Sequence, residues 1–318
     1  HGGFINNKVV VLGGGTGLSV LLQGLKKFPL DITAIVSVCD NGSSTGKLRE
    51  EFNTPAVGDI RRVLISLSET EPLVEKLFNY RFNTYSDLNG HTVGNLILTA
   101  TKEITGNLSD GIEALSKVFN LKGKVVPLTE DNVTLMALMK DGSIIEGEKE
   151  ITSSPKKIKK VFYKEEPIIT PEAIKVIRES DAVILSMGSI FTSILPNLIN
   201  KEIIDAIDNS NTKVIYVSNM VTQPGETDNF TVSDHVNLLN SYLGKKKIDV
   251  VIANNKKIDE NILKKYQTSE QKEQVVLDRE NLTNVNLIED DYFIIENNMV
   301  RHDALKVAFN IFIEVFKY

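Results

Sequence analysis

The run Lys8-Val-Val-Val-Leu12, stopped at once by Gly13-Gly-Gly-Thr-Gly17, constrains the fold more than any other segment. A short β-branched run ends in glycines, and Leu18-Ser-Val-Leu-Leu-Gln-Gly-Leu25 then places apolar side chains at helical spacing. Continuous rather than alternating apolarity belongs to strands covered on both faces, which right-handed helical crossovers join into parallel sheets. The pattern recurs: residues 32–38 break at Asp40-Asn41-Gly42-Ser43-Ser44-Thr45-Gly46, and runs at 182–186, 214–218 and 250–253 also end in polar or glycine-containing segments. The expected fold is α/β, a Rossmann-like, doubly wound, mostly parallel sheet.

The alternation pauses in the middle of the chain. Residues 59–121 read as helices at 60–68 and 72–80, with two more flanking Gly106. From 124 to 163 short alternating segments flank the turn Asp141-Gly142, among them Val133-Thr-Leu-Met-Ala-Leu138, which is hairpin chemistry. These segments predict a helical and β-hairpin lobe over 60–170, inserted into a single domain spanning 4–318. The last helix, 301–318, carries an apolar stripe of Leu305, Ala308, Ile311, Phe312, Val315 and Phe316. His1-Gly2-Gly3 reads as a tag remnant.

Composition removes several classes of function. With 36 Lys and Arg against 42 Asp and Glu, the net charge of −6 argues against a nucleic-acid binder, so the basic run at 156–160 reads as a solvated face. No apolar run reaches the roughly 18 residues of a membrane span. The single cysteine, Cys39, cannot form an intrachain disulfide or a thiolate zinc cluster. A cytoplasmic, globular protein without a structural metal is expected.

Ligands of open parallel sheets bind beyond the carboxyl ends of the strands, where strand order reverses. Five loops suit that place: Gly13, Gly14, Gly15, Thr16 and Gly17; Asp40, Asn41, Ser43 and Ser44; Gly188, Ser189 and Thr192; the segment opened by Asn219; and Asn254 with Asn255. Glycines let backbone N–H groups approach a ligand, and the following helix offers unpaired N–H groups to a phosphate. The first loop lacks the third glycine of the dinucleotide fingerprint, because Leu18 stands there. Gly42-Ser-Ser-Thr-Gly-Lys47 is one residue short of a P-loop, and Leu48 replaces its magnesium-binding hydroxyl, which excludes a P-loop NTPase.

Other residues carry two readings each. Asp40 is either a loop-capping carboxylate or a ligand to ribose hydroxyls or Mg²⁺. His91 and Asn95, in Gly90-His91-Thr92-Val93-Gly94-Asn95, either meet a ligand or cap a helix. Arg301 either supports a helix first turn or reaches a phosphate with its planar fork. Tyr266 is an edge packer or a surface on which a base stacks. No nucleophilic elbow or metal-spaced histidine set is readable.

Together these segments resemble the gluconeogenesis factor (YvcK-like) family, in the CofD-like superfamily that includes 2-phospho-L-lactate transferases. The motifs run in family order: Gly13-Gly-Gly-Thr-Gly-Leu-Ser19, residues 40–49, Gly58-Asp-Ile-Arg61, Tyr80-Arg-Phe82, Gly90-His91 with Gly94-Asn-Leu96, Gly188-Ser-Ile-Phe-Thr-Ser-Ile194, Asn219 with Gly225-Glu-Thr227, Asp234-His235 and Arg301-His-Asp303. The chain departs from the family pattern at Asn41, where a second Asp is usual, and at Met187, where Pro is usual. The first departure removes a charge that a divalent cation would use.

The resemblance implies a cytoplasmic bacterial protein needed for cell shape and for growth on gluconeogenic carbon sources. It implies binding of UDP-sugars, notably UDP-N-acetylglucosamine, through positions matching Tyr266 and Arg301. The favoured reading is a regulator that passes nucleotide-sugar occupancy to protein partners and that allows a homodimer. The alternative, by analogy with the superfamily's enzymes, is a transferase of the 2-phospho-L-lactate type acting on a nucleotide-diphosphate-linked substrate, with Mg²⁺ at Asp40 and with Asp59 and Arg62 as candidates for metal and phosphate roles. An NAD(P)-dependent oxidoreductase rests on fold alone.

Overall fold

The computed structural model describes residues 6–316. The three residues read as a tag remnant, and the last two of the expected terminal helix, lie outside the described residues. Strands β1 (Asn7–Gly13), β2 (Leu30–Val36) and β3 (Lys124–Pro127) come first. Strands β4 (Leu135–Met139), β5 (Ile144–Glu146) and β6 (Ile158–Tyr163) follow in the lobe. The chain then makes β7 (Ala182–Leu185), β8 (Lys213–Val217), β9 (Val250–Asn254) and β10 (Asn286–Asp290), and closes with β11 (Phe293–Glu296) and β12 (Met299–His302).

Seven strands form one sheet in the order β10-β9-β8-β7-β1-β2-β3, and every adjacent pair is parallel. The chain builds outward from β1 through β2 and β3, then returns to the other side of β1 and builds outward again from β7. That reversal puts the switch point between β1 and β7. Val9 to Leu12 and all four residues of β7 are buried, so the reversal occurs at the centre of the core. The doubly wound α/β fold read from the apolar runs is the fold observed.

Helix Gly15–Leu25 continues directly from β1 and packs between helix Gly58–Leu67 and the terminal helix Ala304–Phe316. Its contact with the terminal helix is close, because a Cβ at Gly24 would stand 2.2 Å from the Ala304 carbonyl oxygen. Thus a glycine that reads as an ordinary helix interruption sets the spacing of two helices.

The middle of the chain departs from its sequence reading in one respect. The four helices at 58–67, 72–79, 93–105 and 108–119 are present, with Gly106 at φ +94° ending the third. Strands β5, β4 and β6 make a small antiparallel sheet around the Asp141-Gly142 turn. β3, however, joins the main sheet as its edge strand beside β2, so residues 60–170 are not one uninterrupted insertion. Val125-Val126 is too short an apolar run to be told from hairpin alternation without its partner strand.

The end of the chain departs more. Arg301 and His302 do not open a helix: they lie on β12, paired with β11 across Asn297 and Asn298, both at positive φ. Two consecutive residues at positive φ are what a tight hairpin turn with matched twist requires. The terminal helix begins at Ala304. It buries Val307, Ala308, Ile311 and Val315, while Leu305, expected on the apolar stripe, is 56% exposed. Among the described residues no helix is long and apolar enough to cross a membrane.

Gly24→Ala should lower stability by about 1–3 kcal/mol, because the added methyl meets backbone rather than a movable side chain. Thermal unfolding of the variant checks this, and an unchanged melting temperature would show that the two helices can separate freely.

Candidate functional site

A cavity of about 330 Å³ opens at the switch point. Three of the five loops read from sequence line it: Gly14 to Gly17 after β1, Met187 to Ser189 after β7, and the segment from Asn219 to Gln223 after β8. β12 adds Val300, Arg301 and His302 from the far wall, and Lys272 enters from the loop after helix Glu260–Glu270.

The loops fit together because three positions lack or constrain a side chain. A Cβ on Gly17 would lie 2.1 Å from the Met187 carbonyl oxygen, so only glycine allows the first loop to touch the second. Gly15 has φ +67° and Gly188 φ +137°, conformations that favour glycine. Asn219 then locks Gly188 in place. Its Oδ1 accepts from the Gly188 N–H at 3.1 Å and its Nδ2 donates to the Gly188 carbonyl at 2.6 Å. Asn219 is therefore a positioning side chain whose hydrogen-bonding groups are already engaged.

Ser189 and Thr192 are also engaged. The Ser189 hydroxyl donates to Glu226 Oε1 and accepts from the Thr192 hydroxyl at 2.7 Å. Burial pushes the Glu226 carboxyl above its usual range, against the opposing effect of the Ser189 hydrogen bond. Glu226 was legible only as part of Gly225-Glu-Thr227, with nothing to mark it as the partner of Ser189.

Two cations face the cavity. Arg301 is half-buried and makes only a 3.6 Å contact from Nη2 to the Met299 sulfur. Lys272 lies 3.4 Å from Glu270. His302 donates from Nε2 to the Ser218 carbonyl at 3.0 Å, and burial pushes its pKa down to about 4. It is neutral at neutral pH, with that proton held by the backbone. Sequence reading missed Lys272 and His302, since both sit outside any glycine-rich loop.

Tyr266 is 7% exposed and lies in a satellite core with Met220, Ile258, Phe293 and Val300. Its hydroxyl accepts from the Val300 N–H at 2.7 Å, so it braces the strand that carries Arg301 instead of lining the cavity. Asn254 bonds to Lys256 and to the Tyr292 N–H and lines a different cavity with Asn255 and Arg279.

The second loop forms an adjoining polar corner. Asp40 Oδ1 accepts from the Gly42 N–H at 3.0 Å, ahead of helix Ser43–Phe52. Asp59 is 7% exposed, pairs with Arg62 at 2.7 Å and accepts from the Gly15 N–H. Burial raises its pKa despite Arg62. Ser44, His91 and Asn95 are tied together: Ser44 Oγ meets His91 Nδ1 at 2.7 Å and accepts from Asn95 Nδ2 at 3.2 Å. Arg49, also missed from sequence, donates to the carbonyls of Cys39 and Asp40 at 3.0 Å each and fixes the loop's entry.

Mg²⁺ does not fit this corner well. One Asp40 oxygen holds Gly42, Asp59 is already neutralised by Arg62, and among the described residues no group of three or more His, Cys, Asp or Glu side chains could hold a metal ion. Asn41 has a different task. Its Nδ2 donates to Glu150 at 2.8 Å and its Oδ1 accepts from the Lys149 N–H at 2.8 Å, fastening the lobe to the loop. An aspartate there could not donate and would face Glu150 with like charge.

The sequence is similar to known proteins along nearly its whole length. Residues 9–293 match the family model described as 2-phospho-L-lactate transferase CofD. A gluconeogenesis factor from Bacillus subtilis is 46% identical over 304 residues, covering 95% of this chain and 96% of the relative. A gluconeogenesis factor from Halalkalibacterium halodurans is 42% identical over 309 residues, covering 94% of each. The X-ray crystal structure of a Bacillus halodurans protein superposes with a TM-score of 0.93 at 42% identity, covering 96% of this chain and 99% of that one.

Two outcomes follow from this geometry. Asn41→Asp should cost about 1 kcal/mol in thermal unfolding, and Glu150→Gln should recover most of it. His302, with its pKa depressed from 6.5 to about 4, binds a proton less readily folded than unfolded, so its contribution to stability is present above pH 6.5 and lost as pH falls toward 4. His302→Gln should therefore flatten the acid side of the stability curve in that window, and an unchanged curve would place the sensitivity elsewhere.

Proposed function

The chain belongs to the CofD family, among its gluconeogenesis factors, and from that membership we propose that it is a cytoplasmic UDP-sugar-binding regulator. The ligand assigned is UDP-N-acetylglucosamine or a closely related nucleotide sugar. The observation that carries this reading is the switch-point cavity, where the glycine loop at the start of helix Gly15–Leu25 faces the unpaired guanidinium of Arg301. Backbone N–H groups at a helix start and a planar cation opposite them suit a diphosphate. A cavity of about 330 Å³ lies within the range of small-ligand sites.

Binding rather than turnover is favoured by how the polar groups are used. His302 holds its Nε2 proton on a backbone carbonyl, Asn219 holds the Gly188 backbone, and Ser189 and Thr192 hold each other. Occupancy would pull β12 toward the glycine loop. Because β11 and β12 pack with Tyr266, it would also change the surface offered to protein partners. Roles in cell shape and in growth on gluconeogenic carbon follow from such signalling to partner proteins.

Isothermal titration with UDP-N-acetylglucosamine, with and without Mg²⁺ and followed by mass analysis for product, tests the reading. Saturable binding without Mg²⁺ and without product supports the regulator. Product formation, or binding only with Mg²⁺, supports the transferase alternative, and no binding at millimolar ligand contradicts both. Arg301→Ala should weaken binding by about 1.5–3 kcal/mol without loss of stability, since the side chain makes no structural ion pair.

A further inference from the structure

Arg61 is the least compensated charge in the polar corner. It sits on helix Gly58–Leu67 and is 5% exposed; among the described residues its side chain makes no hydrogen bond or ion pair, and its Nε is wholly buried without a partner. Taking a lone guanidinium out of water is strongly unfavourable. Its surroundings add to the penalty: Arg62 and Arg81 repel it, and the one attracting carboxylate, Asp59, is already held by Arg62 at 2.7 Å. Burial and those two arginines push its pKa down to about 10.

The side chain points toward a helix start. Its Cδ lies 2.8 Å from where a Cβ on Gly94 would stand, and Gly94 is the second residue of helix Val93–Thr105. Arg81 reaches the same place from the segment before the helix and donates to the Gly90 carbonyl at 2.6 Å. Helix Ser43–Phe52 begins there too, through the Ser44–His91–Asn95 contacts. Among the described residues Asn95 Oδ1 is buried and has no partner, so the corner holds an unused acceptor as well as an unused cation.

We propose that Arg61, Arg62 and Arg81, with the first turn of helix Ser43–Phe52, form a second anion subsite that takes a tetrahedral phosphate group. Two further guanidiniums within electrostatic reach of Arg61, beside a helix start, suit the spread oxygens of a phosphate better than the planar pair of a carboxylate. The Asn95 oxygen would accept the proton of a hydrogen phosphate. The subsite lies across Asp59 from the switch-point cavity, since Asp59 accepts from Gly15 on one side and pairs with Arg62 on the other. It therefore goes beyond the nucleotide-sugar reading.

The test uses the full chain without nucleotide, so its result does not depend on whether the cavity binds a UDP-sugar. Thermal unfolding is followed against inorganic phosphate, with chloride at equal ionic strength as the control and glycerol 3-phosphate as a second probe. Phosphate should raise the melting temperature saturably where chloride does not. Tighter binding of glycerol 3-phosphate assigns the subsite to a phosphomonoester, and tighter inorganic phosphate assigns it to the free ion. Arg61→Met should weaken phosphate binding about tenfold or more. If that variant does not fold, Arg81→Ala, at an exposed position, should still weaken binding several-fold. The proposal is overturned if phosphate acts no differently from chloride, or if the folded variants respond as the unaltered protein does.

Discussion

The pairing of the Asn219 amide with both backbone groups of Gly188 holds the molecule's working end together. It ties the loop after β8 to the loop after β7, and the β7 loop in turn touches the β1 loop through the Met187 carbonyl at Gly17. Three loops that leave three adjacent strands thereby behave as one rigid rim. A rim of this kind lines the switch point with glycine backbone and small side chains. The residues that could have served a ligand directly, Asn219 and Ser189, instead keep the rim in shape.

Charge is distributed around that rim in two separate pools. The switch-point cavity has Arg301 and Lys272, brought from β12 and from the loop after helix Glu260–Glu270. The corner across Asp59 has Arg61, Arg62 and Arg81. Asp59 joins the two, since its carboxylate meets the first helix start and the second pool's Arg62 at once. An acidic chain of net charge −6 thus gathers cations at two places around one rim, a distribution invisible in its overall composition.

The main sheet was legible because each of its long strands is a continuous apolar run ending in a glycine or polar loop, and that signal is local. β3 escaped because Val125-Val126 takes its meaning from Ala34 and Ile35 of β2, far earlier in the chain. β12 escaped because Arg301-His302-Asp303 before an apolar stripe imitates a helix start, whereas the Asn297-Asn298 turn that makes it a strand is only two residues long. The site shows the same division. The glycine loops could be read directly, but Lys272, His302 and Glu226 are placed by tertiary packing. Tyr266 carried a position in the family pattern, and only the fold shows that its hydroxyl holds the Val300 N–H.

Nucleotide-sugar binding at the switch point between β1 and β7 is the proposal on which the functional reading rests. A crystal structure of the protein grown with UDP-N-acetylglucosamine tests it most directly. The diphosphate should lie against the loop from Gly15 to Gly17, with Arg301 turned from the Met299 sulfur onto a phosphate oxygen. A nucleotide sugar bound anywhere else, with this cavity unchanged and Arg301 still on Met299, would contradict it.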